Sequence, residues 1–448
     1  MKMITLTASA LAIMLSSQVH AKVSQQQSKQ LGKELSPIGA EVAANQDGSI
    51  PNYTGGLKAN VNADPFTNIY QQETPLFTIT HDNYLQYKNN LTDGQIALFE
   101  KYPKSYKMPI YQTHRTAAFP KSIYAKAKKN VTKTELVSGG NGLSHFDETV
   151  PFAMPNNGLE VIWNHISRYR GGAVVKNSAQ VSVQRNGNFT PIRMRASLTP
   201  PQYLSDGFDG KKDDNVLFYY IQEAKSPARY TGNVFLVHET IDQVNQPRLA
   251  WIYNAGQRRV RRAPQVAYDA PGQAADGLRT SDQLDMFNGA PNRYDWNLVG
   301  KKEVYIPYNS YKLVDKNAKY QDIVGAGHIN QEYTRYELHR VWQVEATLKQ
   351  GSRHIYNKRT FYVDEDSWQI ALADHFDQHG KLWRTSEGHS LQFVNANTPW
   401  YIALTYYDLI SGRYIVELNS EERDAFVFNS QLKRKDFTTS AIRRQGKR

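Results

Sequence analysis

Three groups of residues in this chain have types and spacings that can do chemistry. Asp364-Glu365-Asp366 sets three carboxylates side by side. Paired carboxylates can work as general acid and base, or as oxygen ligands for Ca²⁺. Packed into one predicted turn, they read first as solvated acids that answer nearby arginines. His375 and His379 stand four apart, a metal-ligand spacing when both project from one helix. Here they flank a predicted turn between strands, so no shared metal is expected. The third group is Arg258-Arg259-Val260-Arg261-Arg262, four arginines in five residues. The planar guanidinium fork grips carboxylate and phosphate alike. On an extended strand Arg258 and Arg262 share a face with Val260, while Arg259 and Arg261 point the other way. One pair is expected to bind an anion or a partner. The other is expected to pair with acids such as Asp269, Asp282 or Asp285.

Signatures of other chemistries are missing. The chain has no G-x-x-x-x-G-K-[ST], no H-E-x-x-H, no G-x-S-x-G and no G-x-G-x-x-G following a strand. It has no cysteine, which excludes thiolate catalysis, disulfides and Cys-based zinc sites. No catalytic residue, metal or cofactor is expected.

The elements that must position these groups are mostly strands. From about Leu159 onward, alternating runs recur every ten to fifteen residues between Gly/Asn/Asp/Pro turns, the pattern of an antiparallel meander. Leu249, Trp251 and Tyr253 share a face of a strand that turns at Asn254-Ala255-Gly256-Gln257 into the arginine strand. Glu337–Leu348 pairs with Arg353–Val363. Leu338, Trp342, Val344, Ala346 and Leu348 share one face, opposite Ile355, Phe361 and Val363. Trp368, Ile370 and Leu372 open the next strand. Such a wide sheet has one apolar face, which it must cover with helices or curl around something. Before it, Lys22–Leu35 reads as a short helix. Ser36–Pro65 reads as an extended segment laid over the surface. Asn83–Lys101 is helical in two pieces, with Thr92 and Gln95 as a capping box for the second. The tail from Lys433 to Arg448 has seven basic residues against one acid and reads as mobile.

Compartment follows from the first residues. Lys2, an apolar run over Ile4–Leu15 and Val19-His20-Ala21 form a secretory signal peptide with cleavage expected after Ala21. A cleavage-site cysteine for lipid anchoring is lacking. The formal net charge is +12, with 28 Tyr and 7 Trp. A basic exported protein is drawn to anionic membrane surfaces or acidic partners, and nucleic acid is not expected as a partner.

Several long blocks carry a resemblance. Pro151–Gly171, Arg248–Pro264, Asp276–Tyr311, Arg335–Lys349, Lys358–Trp368 and Leu35–Leu57 look like the blocks of domain of unknown function family 1329, in order, over essentially the whole mature chain. That family is grouped with the LolA/LolB-like proteins. The resemblance implies a mainly β (α+β) fold, an incomplete antiparallel β-barrel or strongly curved sheet with helices covering its concave face. It also implies a periplasmic carrier or accessory of lipid-like hydrophobic cargo. Its partners would be an inner-membrane transporter of the resistance–nodulation–division type and an outer-membrane β-barrel protein. Residues 22–150 would pack on the barrel, 151–432 would form it, and 433–448 would be a basic tail. The expected groove comprises Trp251, Tyr253, Leu338, Trp342, Val344, Phe361, Trp368 and Ile370. Arg258, Arg259, Arg261 and Arg262 would steer anionic heads, a partner or a transient membrane contact. The alternatives are a non-catalytic scaffold of an envelope complex and, behind it, an envelope glycan or lipid hydrolase.

Overall fold

The computed structural model describes residues 23–243, 245–263, 266, 268–421 and 424–446. The expected signal peptide, 1–21, lies outside them. Among the described residues no helix is long and apolar enough to cross a membrane.

Two short strands, β1 (Phe77–Ile79) and β2 (Met108–Ile110), precede a separate hairpin of β3 (Glu135–Val137) and β4 (Gly142–Ser144). The long strands come next: β5 (Val174–Val183), β6 (Pro191–Thr199), β7 (Val216–Ser226), β8 (Val234–Thr240), β9 (Leu249–Asn254) and β10 (Arg259–Arg262). After a long connection follow β11 (Tyr294–Pro307), β12 (Tyr336–Leu348), β13 (Lys358–Asp364) and β14 (Ile370–Phe376). The last are β15 (Leu382–Phe393), β16 (Thr398–Asp408), β17 (Tyr414–Asn419) and β18 (Phe426–Phe428). The main path runs β11-β12-β13-β14-β15-β16-β17-β5-β6-β7-β8-β9-β10. Its long strands pair antiparallel, while β2 meets β12 through one parallel bridge. The late strand β17 pairs the early strand β5, so the two halves of the chain share one sheet. The sheet is strongly curved, bringing β11 against β14 and β15, and it stays open: an incomplete barrel.

One face of the sheet, called inner here, carries the connections that cross it. The helix α4 (Gly158–Ser167) lies on it against β11 and β12. Sequence alternation placed the start of the strands at Leu159. The chain forms a helix here because Leu159, Ile162, Trp163 and Ile166 recur at i, i+3, i+4 and i+7 and so share one apolar face; Val161, Ile162, Trp163 and Ile166 are all buried. Asn157 caps it, accepting from the Glu160 amide at 3.0 Å. Its polar residues are satisfied inside: Asn164 exchanges bonds with the Phe152 backbone, and Trp163 Nε1 donates to Gly140 O at 2.9 Å. Gly171 and Gly172 then turn the chain into β5 at φ of 81° and 77°. A Cβ on Gly171 would come within 2.6 Å of the Phe428 ring, so glycine is required.

The N-terminal region does more than lie on the surface. Ile38, Ala40, Ile50 and Tyr53 are buried. The helical pieces over 83–101 are a 3₁₀ turn, Tyr84–Asn90, and α2 (Asp93–Lys101), and Thr92 and Gln95 make the capping box. The expected helix near residue 22 shrinks to α1 (Gln25–Ser28), and α3 (Lys121–Lys133) was not foreseen. Ile355 falls in the connection before β13 rather than on it. After a short α5 (Tyr320–Ile323), the last helix is α6 (Thr439–Gly446). The tail is docked rather than free: Phe437, Ala441 and Ile442 are buried, and Phe437 and Ile442 join Tyr219, Ile221, Val234, Leu236 and Tyr253 in a second core on the outer face. Lys433, Lys435, Arg443 and Arg444 are exposed, while Arg434 pairs with the buried Asp213, so charge count alone misreads it.

Two outcomes follow. Thr92→Ala should cost about 1 kcal/mol in urea denaturation through loss of the cap. Ile442→Asp should undock α6, seen as rapid amide exchange over 439–446; slow exchange in that variant would contradict the docking.

Candidate functional site

The eight residues expected to line a groove are not brought together. Val344, Phe361, Trp368 and Ile370 are fully buried in the main core, with Leu338 beside them and Trp342 half-buried. Trp368 Nε1 donates to Ile38 O at 2.9 Å and the Trp368 ring stacks on Trp342, so the N-terminal segment seals this region. Phe361 packs against Phe287 and Trp296. Trp251 and Tyr253 share a face, as alternation required, but it is the outer face, under α6. The inner side of β9 carries Ala250 and Ile252 instead.

The inner face of β5–β9 is less fully covered. Register aligns a row of side chains straight across it: Lys176, Ala196, Gln222, Phe235 and Ile252. Directly opposed residues on antiparallel strands share a face, so this is one surface. The neighbouring row is Val174, Leu198, Tyr220, Val237 and Ala250. Residues 268–290 arch over both rows as a strap. Beneath it lie two adjoining spaces of about 80 and 120 Å³ that share Phe218, Tyr220, Gln222, Leu284 and Asn288. Ile252 is 38% exposed at the outer end. The walls are mainly apolar, with polar groups at the ends and along the strap.

Charged groups fix the strap. Arg168 and Arg170 leave the C-terminus of α4 and converge on Asp285, with Arg168 Nη2 at 2.7 Å from Oδ1 and Arg170 Nη2 at 2.7 Å from Oδ2. The same guanidiniums donate to the last helical carbonyls, His165 O at 2.7 Å and Ile166 O at 2.9 Å. Cations are suited to that helix end. Burial pushes the Asp285 carboxyl up, but the two arginines outweigh it and hold it below the usual carboxylate range. Burial, then Arg168, lowers Arg170 to about 10, which leaves it charged at neutral pH. Further along, Asp282 accepts from Arg359 at 2.8 Å and contacts His354 at 3.0 Å. Arg248 donates to Asn288 O at 2.5 Å and pairs with Glu239, and Arg279 reaches Gln180 at 3.1 Å.

The four arginines of 258–262 are all exposed. The acids expected to answer them are committed elsewhere: Asp269 to Arg293, Asp282 to Arg359 and Asp285 to Arg168 and Arg170. Among the described residues no carboxylate comes within ion-pair distance of the four. Arg262 instead lies over the Trp251 ring at 6.0 Å.

The acidic turn is buried, not solvated. Asp366 takes both arms of Arg115 at 2.6 and 2.9 Å, and Glu365 takes Arg340 at 3.2 Å and Lys301 at 2.7 Å. These bonds bind the N-terminal segment to β11 and β12. His339, Asp364 and Asp366 lie close enough to share an ion, but the Asp366 carboxylate is taken up by Arg115 and Asp364 accepts from Ser367. His375 is buried in β14 beside Gln283, and His379 sits exposed in the turn, so the two do not converge. Burial pushes the Glu387 carboxyl up to about 7, even though Tyr336 and Tyr106 donate to it.

The features that built this site were present in the sequence. Phe218, Tyr220 and Gln222 alternate within VLFYYIQEAKS, and RYRGG follows an apolar stretch. Alternation gives two faces and does not say which one the last helix will cover.

Residues 78–443 match the model of a family described as protein of unknown function, DUF1329. The chain belongs to that family. A relative, uncharacterized protein PA3922 of Pseudomonas aeruginosa, is 55% identical over 440 residues, covering 97% of this chain and 96% of its own. A crystal structure of a DUF1329 family protein from Desulfovibrio piger is similar at 16% identity, with a TM-score of 0.42 over 60% of this chain and 91% of that one. A crystal structure of LolA superfamily protein NE2245 from Nitrosomonas europaea is similar at 13% identity, with a TM-score of 0.39 over 64% of this chain and 99% of that one.

In this DUF1329 protein Asp285→Ala should destabilise by about 3–5 kcal/mol in urea, because it leaves two buried guanidiniums without a counter-ion. The Asp285 contribution is full at neutral pH and fades below pH ~4, since its folded pKa is depressed. Glu387 has the opposite sign: its folded pKa is raised, so the buried carboxylate penalises the fold above pH 7. Glu387→Gln should therefore gain stability over wild type at pH 8, and the gain should shrink towards pH 5. An equal difference at both pH values would contradict that assignment.

Proposed function

We propose that this protein binds a slender, lipid-like apolar molecule along the inner face of β5–β9 and carries it between partners. The observation that supports this is the pair of cross-strand rows left partly uncovered beneath the strap. The spaces under the strap are narrow beside the ~300–1,000 Å³ common for compact ligands. That favours an extended chain lying along the rows. Burial is worth about 0.8 kcal/mol per CH₂, so a chain of ~14 carbons supplies up to about 11 kcal/mol before ordering costs. On this reading the protein works in the periplasm after export. Its partners there are an inner-membrane transporter and an outer-membrane β-barrel protein. The strap, held by ion pairs rather than a sheet ladder, is the element that admits and releases cargo.

A non-catalytic scaffold is the second reading. The other half of the sheet favours it, where α4 and the N-terminal segment bury Val344, Phe361 and Trp368 completely.

Titration with a fluorescent long-chain acyl probe separates the two. The carrier reading expects saturable binding that falls about tenfold or more in Tyr220→Glu and Phe235→Glu, with Trp342→Ala unchanged. Absence of binding, together with no lipid recovered from protein purified out of the periplasm, would leave the scaffold.

A further inference from the structure

Arg259 and Arg261 occupy a particular place relative to the groove. Arg261 is directly opposite Ile252, and Arg259 is opposite Asn254, in the β9–β10 register. Ile252 lines the space beneath the strap. Opposed residues project to the same side. The row Lys176, Ala196, Gln222, Phe235 and Ile252 therefore continues to Arg261 at the free edge of the sheet. Five inter-strand steps at ~4.8 Å make it about 24 Å long. Its far end is neutralised, because Lys176 Nζ lies 2.6 Å from Glu417. At the near end Arg259 and Arg261 are exposed, and no described carboxylate is within ion-pair distance. Arg262 is different: it is opposite Trp251 on the outer face and lies over that ring.

We infer that Arg259 and Arg261 receive the head of an anionic amphiphile, a phosphate or carboxylate on a long apolar tail, whose tail lies along the row. This rests on the groove reading above and names its ligand class. Two residues two apart on a strand have Cα atoms ~7 Å from each other, so arginine side chains there can close on one multi-oxygen head between them. An edge strand rich in arginine also resists pairing with another chain's strand. That leaves the pair facing solvent at the mouth, where a head remains hydrated while the tail is buried. Arg262, on the outer face, and Arg258, in the turn before β10, have no such row behind them.

The test compares dodecyl phosphate, dodecanol and inorganic phosphate as monomers in solution, measured by displacement of the acyl probe or by calorimetry. The proteins are wild type, Arg259→Gln/Arg261→Gln, and Arg258→Gln/Arg262→Gln. We expect dodecyl phosphate to bind wild type more tightly than dodecanol and to weaken roughly tenfold in the first double variant, with dodecanol unaffected. The second double variant should bind as wild type does. Equal binding of phosphate and alcohol to wild type, with both retained in every variant, overturns the head assignment and leaves the groove intact. Failure of both tailed ligands on wild type overturns the groove reading as well. Inorganic phosphate binding as tightly as dodecyl phosphate makes the pair a free-anion site and overturns the proposal. Equal loss in both double variants, accompanied by equal loss of binding to phosphatidylglycerol vesicles, makes the arginines a membrane-adhesion strip and overturns it too.

Discussion

Asp285 bridging Arg168 and Arg170 is the interaction on which the inner face depends. Two buried guanidiniums share one partly exposed carboxylate, and the guanidiniums also donate to helix-end carbonyls. Such a cluster adds little net stability over a well-packed apolar substitute, yet removing one member is severe. What it provides is placement. It joins the C-terminus of α4 to the strap at the boundary between the filled and the partly open parts of the sheet. On one side α4 packs Trp163 and Ile166 into the concavity. On the other side the strap spans the strands and leaves room beneath.

The same logic of buried charge recurs at Glu365 and Asp366, where Arg115, Arg340 and Lys301 bind the N-terminal segment over β11 and β12. A one-sided sheet this wide must cover its apolar face. Here the cover comes from three separate parts of the chain: the N-terminal region, α4 and the strap. Each is attached by buried ion pairs, and the N-terminal region also by the bridge from β2 to β12. That gives specific attachment points and allows the covers to differ in tightness, the strap being anchored at Asp282, Asp285 and Asn288.

Much of the fold was legible. Alternation located β9, β10, β12 and the face shared by Leu338, Trp342 and Val344, and the Thr92/Gln95 capping box marked the start of α2. The helix α4 was not: Leu159, Ile162, Trp163 and Ile166 recur at i, i+3, i+4 and i+7, but Leu159, Val161 and Trp163 also alternate as a strand would. The candidate site was less legible still. Trp251 and Tyr253 drew attention as large aromatics on one face, and that face is closed by a basic tail whose apolar contacts are few: Phe437 and Ile442, with Leu432 beside them. The acids of the 364–366 turn looked solvated because burial of charge is visible only once Arg115, some 250 residues earlier, is placed beside them.

The sequence by itself determined which residues share a face, where strands turn, and that Arg259 and Arg261 face away from Arg262; Arg258, expected beside Arg262, falls instead in the turn before β10 at a φ of 52°. These are local consequences of a period of two and of turn chemistry. The tertiary structure alone decided which side is inner, which half of the sheet is filled, and which acids answer which arginines. Those depend on contacts between segments tens to hundreds of residues apart, and no local pattern encodes the partner of a charge or the cover of a face.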